Sequence, residues 1–257
     1  MEQNPPRFTQ AICRAPSPTL ADGLTTADLG APDHDLALAQ HGAYVNALRS
    51  LGLTVTVLEP LPEFPDAHFV EDTAVVVPEL AVITRPGHPS RRDEIAAIAG
   101  ALERHRPLER IEPPGTLDGG DVLQIGRQLF VGVSARTNEA GADQLGAIVK
   151  AHGHGCTAVP VPAGLHLKSS VNEIGDTLLV TAEFAECAQL AGYEKIIVPP
   201  GEEYAANTLR INDHLLTPAG FPGTRAALER TGYPIVELEL TEMRKMDGGL
   251  TCLSLRF

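Results

Sequence analysis

The chain has 257 residues, 20 basic against 33 acidic, for a net charge of −13; with no basic patch or polybasic run, this argues against nucleic acid or an anionic membrane surface as a partner. A composition 43% hydrophobic and 21% charged is globular, and the length allows one large domain or two small ones. Four scattered cysteines, Cys13, Cys156, Cys187 and Cys252, form no CxxC pair and exclude a disulfide scaffold. The opening MEQNPPRFTQ has no apolar h-region and no run of about 18 apolar residues follows, so a soluble, cytoplasmic protein is expected.

In chain order, the first predicted element is a lone strand, Phe8–Arg14. The periodic, Ala-rich stretch Asp35–Leu51 predicts a helix ending at Gly52 and leading into a strand, Leu53–Leu58. A hairpin follows, Thr73–Val77 and Leu80–Thr84, introduced by Val70-Glu71-Asp72. Ser90 is the expected N-cap of a helix over Arg91–Arg104, with Asp93 and Glu94 favourable in its first turn. Asp118-Gly119-Gly120-Asp121 introduces a second hairpin, Val122–Ile125 and Gln128–Val133. Then come a helix over Thr137–His152, capped by Thr137 or Asn138, and the strand Thr157–Val161. A third hairpin pairs Val171–Ile174 with Thr177–Thr181; a helix over Glu183–Leu190 leads to the strand Lys195–Val198. The fourth pairs Asn207–Ile211 with His214–Thr217, then a helix over Gly223–Thr231 and the strand Ile235–Leu238. Last, Asp247-Gly248-Gly249-Leu250 precedes a strand over Thr251–Arg256.

A polar group thus introduces each hairpin, at Asp72, Asp121, Asn172, Asn207 and Asp247, at intervals of 49, 51, 35 and 40 residues. Such diverged recurrence predicts a closed array of like units, with the first and last strands pairing to remove exposed edges. Equivalent anchors would then meet at one end of a central channel. Six carboxylates belong to this set or its flanks: Asp66, Glu71, Asp72, Asp118, Asp121 and Asp247. Each alone reads as a turn cap, but converging they form a negative pocket suited to a cation.

Common catalytic motifs are absent. The chain has no GxxxxGK[ST], no GxGxxG after a strand, no HExxH, and no GxSxG, since Ser134 sits in GVSAR. His152-Gly-His154-Gly-Cys156 offers three potential zinc ligands but no fourth, and reads better as a Gly-rich turn after a helix. Cys13, Cys156 and Cys187 read as packing residues. Cys252 reads either as a small buried hydrophobe or, at the mouth of the last strand, as a reactive thiol. His166, just before the third anchor, is a hydrogen-bonded core residue unless it shares the channel with Cys252. The other eight histidines are expected at the surface.

The segments FVEDTAVVV, AVITRPGHPSRRDEI, TLDGGDVL, FVGVSARTNEAG, GLHLKS, AANTLRIN and MDGGLTCLS, in that order from about Arg14 to the C-terminus, resemble those of the dimethylarginine dimethylaminohydrolases, members of the guanidino-group-modifying (pentein) superfamily. The resemblance implies an α/β propeller of five ββαβ units around a pseudo-fivefold axis, formed by one catalytic domain over residues 1–257. It implies hydrolysis of free Nω-methylated arginines to citrulline and methylamine or dimethylamine, without metal or cofactor. Cys252 would be the nucleophile, His166 the general acid and base, and Asp118 its acidic partner. Asp72 would bind the guanidinium, Arg91 and Arg136 the α-carboxylate, with Asp66 near the amino-acid head. Glu71 and Asp247 would be further substrate contacts, and Pro16–Pro32 a lid with Leu24 its apolar contact. An arginine or agmatine deiminase on the same fold, and a non-catalytic binder of cationic amino acids, are the competing readings. The partner expected is a small molecule, and the chain a monomer or homodimer.

Overall fold

The computed structural model describes residues 7–162 and 166–257. Runs of Val, Leu and Ile broken by Gly, Asn or Asp form five three-stranded sheets of like construction. In chain order come β1 (Gln10–Arg14), α1 (His34–Ser50) and β2 (Thr54–Leu58); then β3 (Ala74–Val76), β4 (Ala81–Ile83), α2 (Ile95–Leu102) and β5 (Leu108–Arg110). Next are β6 (Val122–Ile125), β7 (Gln128–Val133), α3 (Glu139–Lys150) and β8 (Gly155–Pro160), followed by α4 (Leu167–Ser170), β9 (Val171–Glu173), β10 (Thr177–Val180) and β11 (Glu194–Ile197). The chain ends with β12 (Leu209–Ile211), β13 (His214–Pro218), α5 (Pro222–Glu229), β14 (Ile235–Leu238), α6 (Thr241–Arg244) and β15 (Leu255–Arg256).

Each sheet is an antiparallel pair extended by a third strand parallel to its central one, the two linked by a crossover. The two-residue turns of β6–β7 and β12–β13 place Gly126 (φ 58°) and Asn212 (φ 53°) in the left-handed region that glycine and asparagine tolerate. The fifth sheet joins the two ends of the chain: β15 lies antiparallel to β1, Ala11 opposite Arg256, and β2 completes it in parallel. First strands of all five sheets contribute residues to one central cavity of about 140 Å³, among them Val75, Leu123, Asn172, Leu209 and Leu255. The architecture is a five-unit α/β propeller, as expected. Apolar clusters fill the space between sheets and outer helices. Leu145 and Val149 of α3, for example, are fully buried against Val82, Leu129 and Val131, at about 1.5–3 kcal/mol for each large side chain. No helix among the described residues is long and apolar enough to cross a membrane.

Tight helical turns deliver the chain into β3, β6, β9, β12 and β15: Val70–Thr73, Gly119–Asp121, α4, Glu203–Ala206 and Thr251–Leu253. Of the expected anchors, Asp72 and Asp121 lie in these turns, Asn207 directly follows one, Asn172 lies in β9 and Asp247 precedes the last turn by four residues. The expected strand over Thr251–Arg256 is therefore a turn at Cys252 followed by the short β15. Other elements also differ from expectation, among them the unpredicted helix α6. Ser90 does not cap a helix; Pro89–Arg91 is a 3₁₀ turn whose Ser90 N–H bonds His88 Nδ1, and α2 starts only at Ile95, because Arg91 and Glu94 turn inward to pair. In place of a helix over Glu183–Leu190 the chain forms two separate 3₁₀ turns, Ala182–Phe184 and Ala188–Leu190, broken by extended backbone at Cys187, and Phe184 and Leu190 are both fully buried. β5, three residues with two charges, has no sequence signature and exists through pairing with β4. For α3, Asn138 is the cap, accepting the Gly141 N–H.

Candidate active site

One small pocket lies where the helical turns meet. Its lining includes Cys252, His166, Asp72, Arg91, Arg136, Asp66, Asp247 and Leu24, with Phe69, Met246 and Gly248. The turn bearing Cys252 is fixed by Asn207, whose Oδ1 accepts the Thr251 N–H and whose Nδ2 donates to Thr251 Oγ1. Burial pushes the Cys252 thiol up to about 12, and the carboxylates of Glu71 and Asp72 push the same way. The resting sulfur is a neutral thiol.

His166 stands across the pocket and bonds Asp118 Oδ2 through Nε2 at 2.9 Å, with Asp72 Oδ1 at 3.9 Å. Burial opposes protonation of the ring, but Asp72, the bond to Asp118 and the charge of Asp121 outweigh it and raise its pKa to about 9. At neutral pH the ring is an imidazolium. Asp118 is fully buried behind it. Burial alone would raise its carboxyl, yet the His166 bond and charge, Arg91 and the Gly87 N–H hold it below the usual range.

Asp72 Oδ1 accepts the Gly120 N–H at 2.9 Å, and Oδ2 meets Arg91 NH1 at 2.5 Å. Arg91 is largely committed inside the protein. Glu94 takes Nε and NH2, and the carbonyls of Asp66 and Phe69 take NH2 as well. It therefore braces Asp72 and keeps at most one N–H for a ligand, less than the free carboxylate clamp expected of it. Arg136 is different. Its NH1 is buried without a hydrogen-bond partner, 3.6 Å from Asp118, and has a donor to offer.

The Pro16–Pro32 segment covers the pocket. The Leu24 N–H bonds both Asp66 oxygens, Thr25 Oγ1 donates to the Lys245 carbonyl, and the Thr26 N–H and hydroxyl bond Asp247 Oδ2. Asp247 itself holds a left-handed φ of 57°. With these bonds made, the cavity is only about 20 Å³, room for roughly one water. Asp66 and Asp247 thus tie this segment down over the pocket.

Glu71 is a correction. Its side chain faces the central cavity rather than the pocket, because Lys168 (2.7 Å) and Arg256 (2.9 Å) both hold Oε1 there. The sequence reading also missed Glu94, Lys168 and Arg256; of these only Glu94 left a signal, three residues after Arg91 on one turn. Of the histidines expected at the surface, His41, His68 and His154 are buried. The His68 ring packs at a tilt against Phe69, and burial drops it to about 3, an uncharged packing residue. The zinc reading fails: His154 Nε2 bonds Glu79 at 2.8 Å while His152 is exposed. Among the described residues, the potential ligand atoms that cluster within 4.8 Å are those of Asp72, Asp118 and His166. The Gly164-Leu165 part of the GLHLKS segment lies outside the described residues.

Comparison with known proteins gives a consistent picture. A family model described as arginine deiminase matches residues 38–163. The chain is 42% identical to an N(G),N(G)-dimethylarginine dimethylaminohydrolase of Pseudomonas aeruginosa, over 97% of this chain and all of that protein. It is 40% identical to the protein of the same name in Streptomyces coelicolor, over 96% of each. Among solved structures, a cysteine-to-serine variant of the Pseudomonas aeruginosa enzyme complexed with citrulline superposes with a TM-score of 0.96 at 41% identity, over 98% of this chain and all of that one.

Proposed function

Because this chain belongs to the dimethylarginine dimethylaminohydrolase family of the pentein superfamily, we propose that it hydrolyses free Nω-methylated L-arginines to L-citrulline and the methylated amine, with Cys252, His166 and Asp118 as its catalytic residues. The observation that carries the reading is the pairing of a thiol with a carboxylate-held imidazolium in a pocket walled by Asp72 and Arg136. A guanidinium carbon is a poor electrophile, and a thiolate is the side-chain nucleophile strong enough to attack it.

The carboxylates that disfavour the Cys252 thiolate favour a cationic substrate. A guanidinium against the free lone pairs of Asp72 offsets their charge, so binding lowers the thiol pKa and its proton leaves to solvent. Sulfur attacks the central carbon; the imidazolium of His166 gives its proton to the methylated nitrogen and the C–N bond breaks, leaving a cationic thiouronium on Cys252. The imidazole, now neutral, takes a proton from water. The resulting hydroxide adds to the same carbon, and the C–S bond breaks as the hydroxyl proton of the adduct passes to the leaving sulfur, giving citrulline and the resting thiol. Asp118 holds the ring's orientation throughout. Arg136 receives the α-carboxylate by a charge-assisted pair. Substrate entry requires release of the Leu24, Thr25 and Thr26 bonds, and their return shuts water out. One catalytic domain spanning residues 1–257 suffices for these roles, and a free catalytic thiol suits a reducing cytoplasm.

The test is a product assay against asymmetric dimethylarginine, monomethylarginine, arginine and agmatine. Citrulline should form from the methylated substrates with the higher kcat/KM. Faster turnover of arginine or agmatine means a deiminase.

A further inference from the structure

Asp121 is fully buried and has no part in the chemistry above, yet its carboxylate leads to three site residues at once. Oδ1 accepts the N–H of Leu167, the residue after His166, at 2.9 Å. Oδ2 accepts the hydroxyls of Ser134 at 2.7 Å and Thr137 at 2.6 Å. Each hydroxyl in turn accepts backbone N–H groups. Ser134 Oγ takes those of Arg136 (3.0 Å) and Thr137 (3.1 Å), and Thr137 Oγ1 takes that of Asp118 (3.1 Å).

Every partner of this carboxylate is a donor, and an ionised carboxylate is the acceptor-only group that suits all three. An asparagine would not. Its NH₂ would face either the Leu167 N–H or two hydroxyls, and Ser134 already has both lone pairs filled by N–H groups. We propose that Asp121 is a positioning residue that sets the His166–Asp118 pair and Arg136 relative to one another, acting through Leu167, Thr137 and Ser134. The inference rests on the roles given above to those residues, and it extends to a residue that touches no substrate.

The arms are separable. Asp121→Asn disturbs all three and removes a charge from the group facing His166, which comprises Asp72, Asp118, Asp121, Arg91, Arg136 and Cys252. Asp121→Asn should lower kcat about 10²-fold, the scale of a misplacement near 1 Å. It should also move the imidazole titration of His166, followed by NMR, below its parent value of about 9. Ser134→Ala cuts the Arg136 arm and removes one of the bonds that fix Thr137, so it should raise KM for methylarginine by a larger factor than it lowers kcat. Thr137→Ala cuts the Asp118 arm and should lower kcat and move the His166 titration while KM holds. If Asp121→Asn does not fold, these two variants carry the test. Parental kcat, KM and titration in all folded variants overturn the proposal, as does an equal fall in activity with the His166 titration unmoved. Absence of methylarginine hydrolysis in the parent would overturn the functional reading instead, leaving the NMR titrations to decide the positioning role.

Discussion

A buried charge stabilises only when it is paired and hydrogen-bonded, and the Asp118 carboxylate is: it accepts from His166 Nε2 and the Gly87 N–H, with the unbonded Arg136 guanidinium 3.6 Å away. Asp118→Asn keeps the shape and removes the charge. His166 then loses part of what holds it at about 9, so the alkaline limb of kcat/KM, where the imidazolium loses its proton, should move to lower pH. Turnover should fall about 10²–10⁴-fold, the usual worth of an oriented acid–base group. An alkaline limb that stays near pH 9 at full activity contradicts the assignment. Cys252→Ser, by contrast, should abolish citrulline formation and leave methylarginine binding measurable by calorimetry, because nothing that grips the substrate is removed; near-parental turnover would dismiss Cys252 as nucleophile. At this scale the residues alone left Cys252 and His166 open between packing and chemistry, and only the resemblance implied their roles and that of Asp118; the structure brings Cys252 and His166 to one pocket with Asp118 bonded behind the ring. The sequence was least legible where a residue's meaning depends on its partner. Arg91 reads as a free clamp until Glu94 is seen holding it, and Glu71 as a substrate contact until Lys168 and Arg256 draw it to the other side.

Helical turns and loops, more than the sheets, decide whether the site is assembled. Gly120 shows the tolerance: a Cβ there would stand 2.7 Å from Asp72 Oδ1 and 2.8 Å from the His166 ring. Gly23, in the lid, has an ordinary φ of −72°, but a Cβ would come within 2.6 Å of Asp66 Oδ1 and 3.1 Å of the Met246 side chain. Gly23→Ala should therefore hold the lid away from its latch and raise KM several-fold without lowering thermal stability; an unchanged KM would show that the lid bonds are not part of the working cycle. A separate expectation concerns α3. Asn138→Ala removes the side chain that caps it and also accepts the Thr116 N–H, so it should cost about 0.5–2 kcal/mol, a fall in Tm of roughly 2–4 °C per kcal/mol for a chain near this size. Hairpins with alternating apolar residues and a Gly or Asn turn were readable almost to the residue, as at β6 and β7. The connection between β10 and β11 was not, because the pattern AEFAECAQL suits a helix locally, whereas in the fold the chain breaks at Cys187 and buries Phe184 and Leu190 from two separate turns.

The recurrence of five polar anchors made the whole architecture legible, and it did so through spacing rather than through any single strong element. What spacing could not convey is that the ring puts cations and carboxylates from four different turns around one axis, so the protonation of His166 and Cys252 becomes a property of the assembled ring. Stability should carry that signature. The folded pKa of His166 is raised to about 9 from about 6.5 in an unfolded chain, so the folded state binds its proton more tightly. That contribution is complete below about pH 6.5 and is lost as pH rises through about 9. By linkage it is on the order of 3 kcal/mol. Cys252 and Cys13, each held up to about 12 against an ordinary 9, act in the same sense: above pH 9 the unfolded thiols ionise while the buried ones resist, and stability falls further. The urea midpoint should accordingly decline from pH 7 to pH 10. A net charge of −13 would produce a decline of the same sign through surface repulsion, but salt screens exposed charges far more than buried pairs. The decline should therefore persist in 0.5 M salt, and the His166 part should vanish in a folded His166→Gln variant. A midpoint that becomes flat with pH on adding salt would place the effect at the surface and not in the pocket.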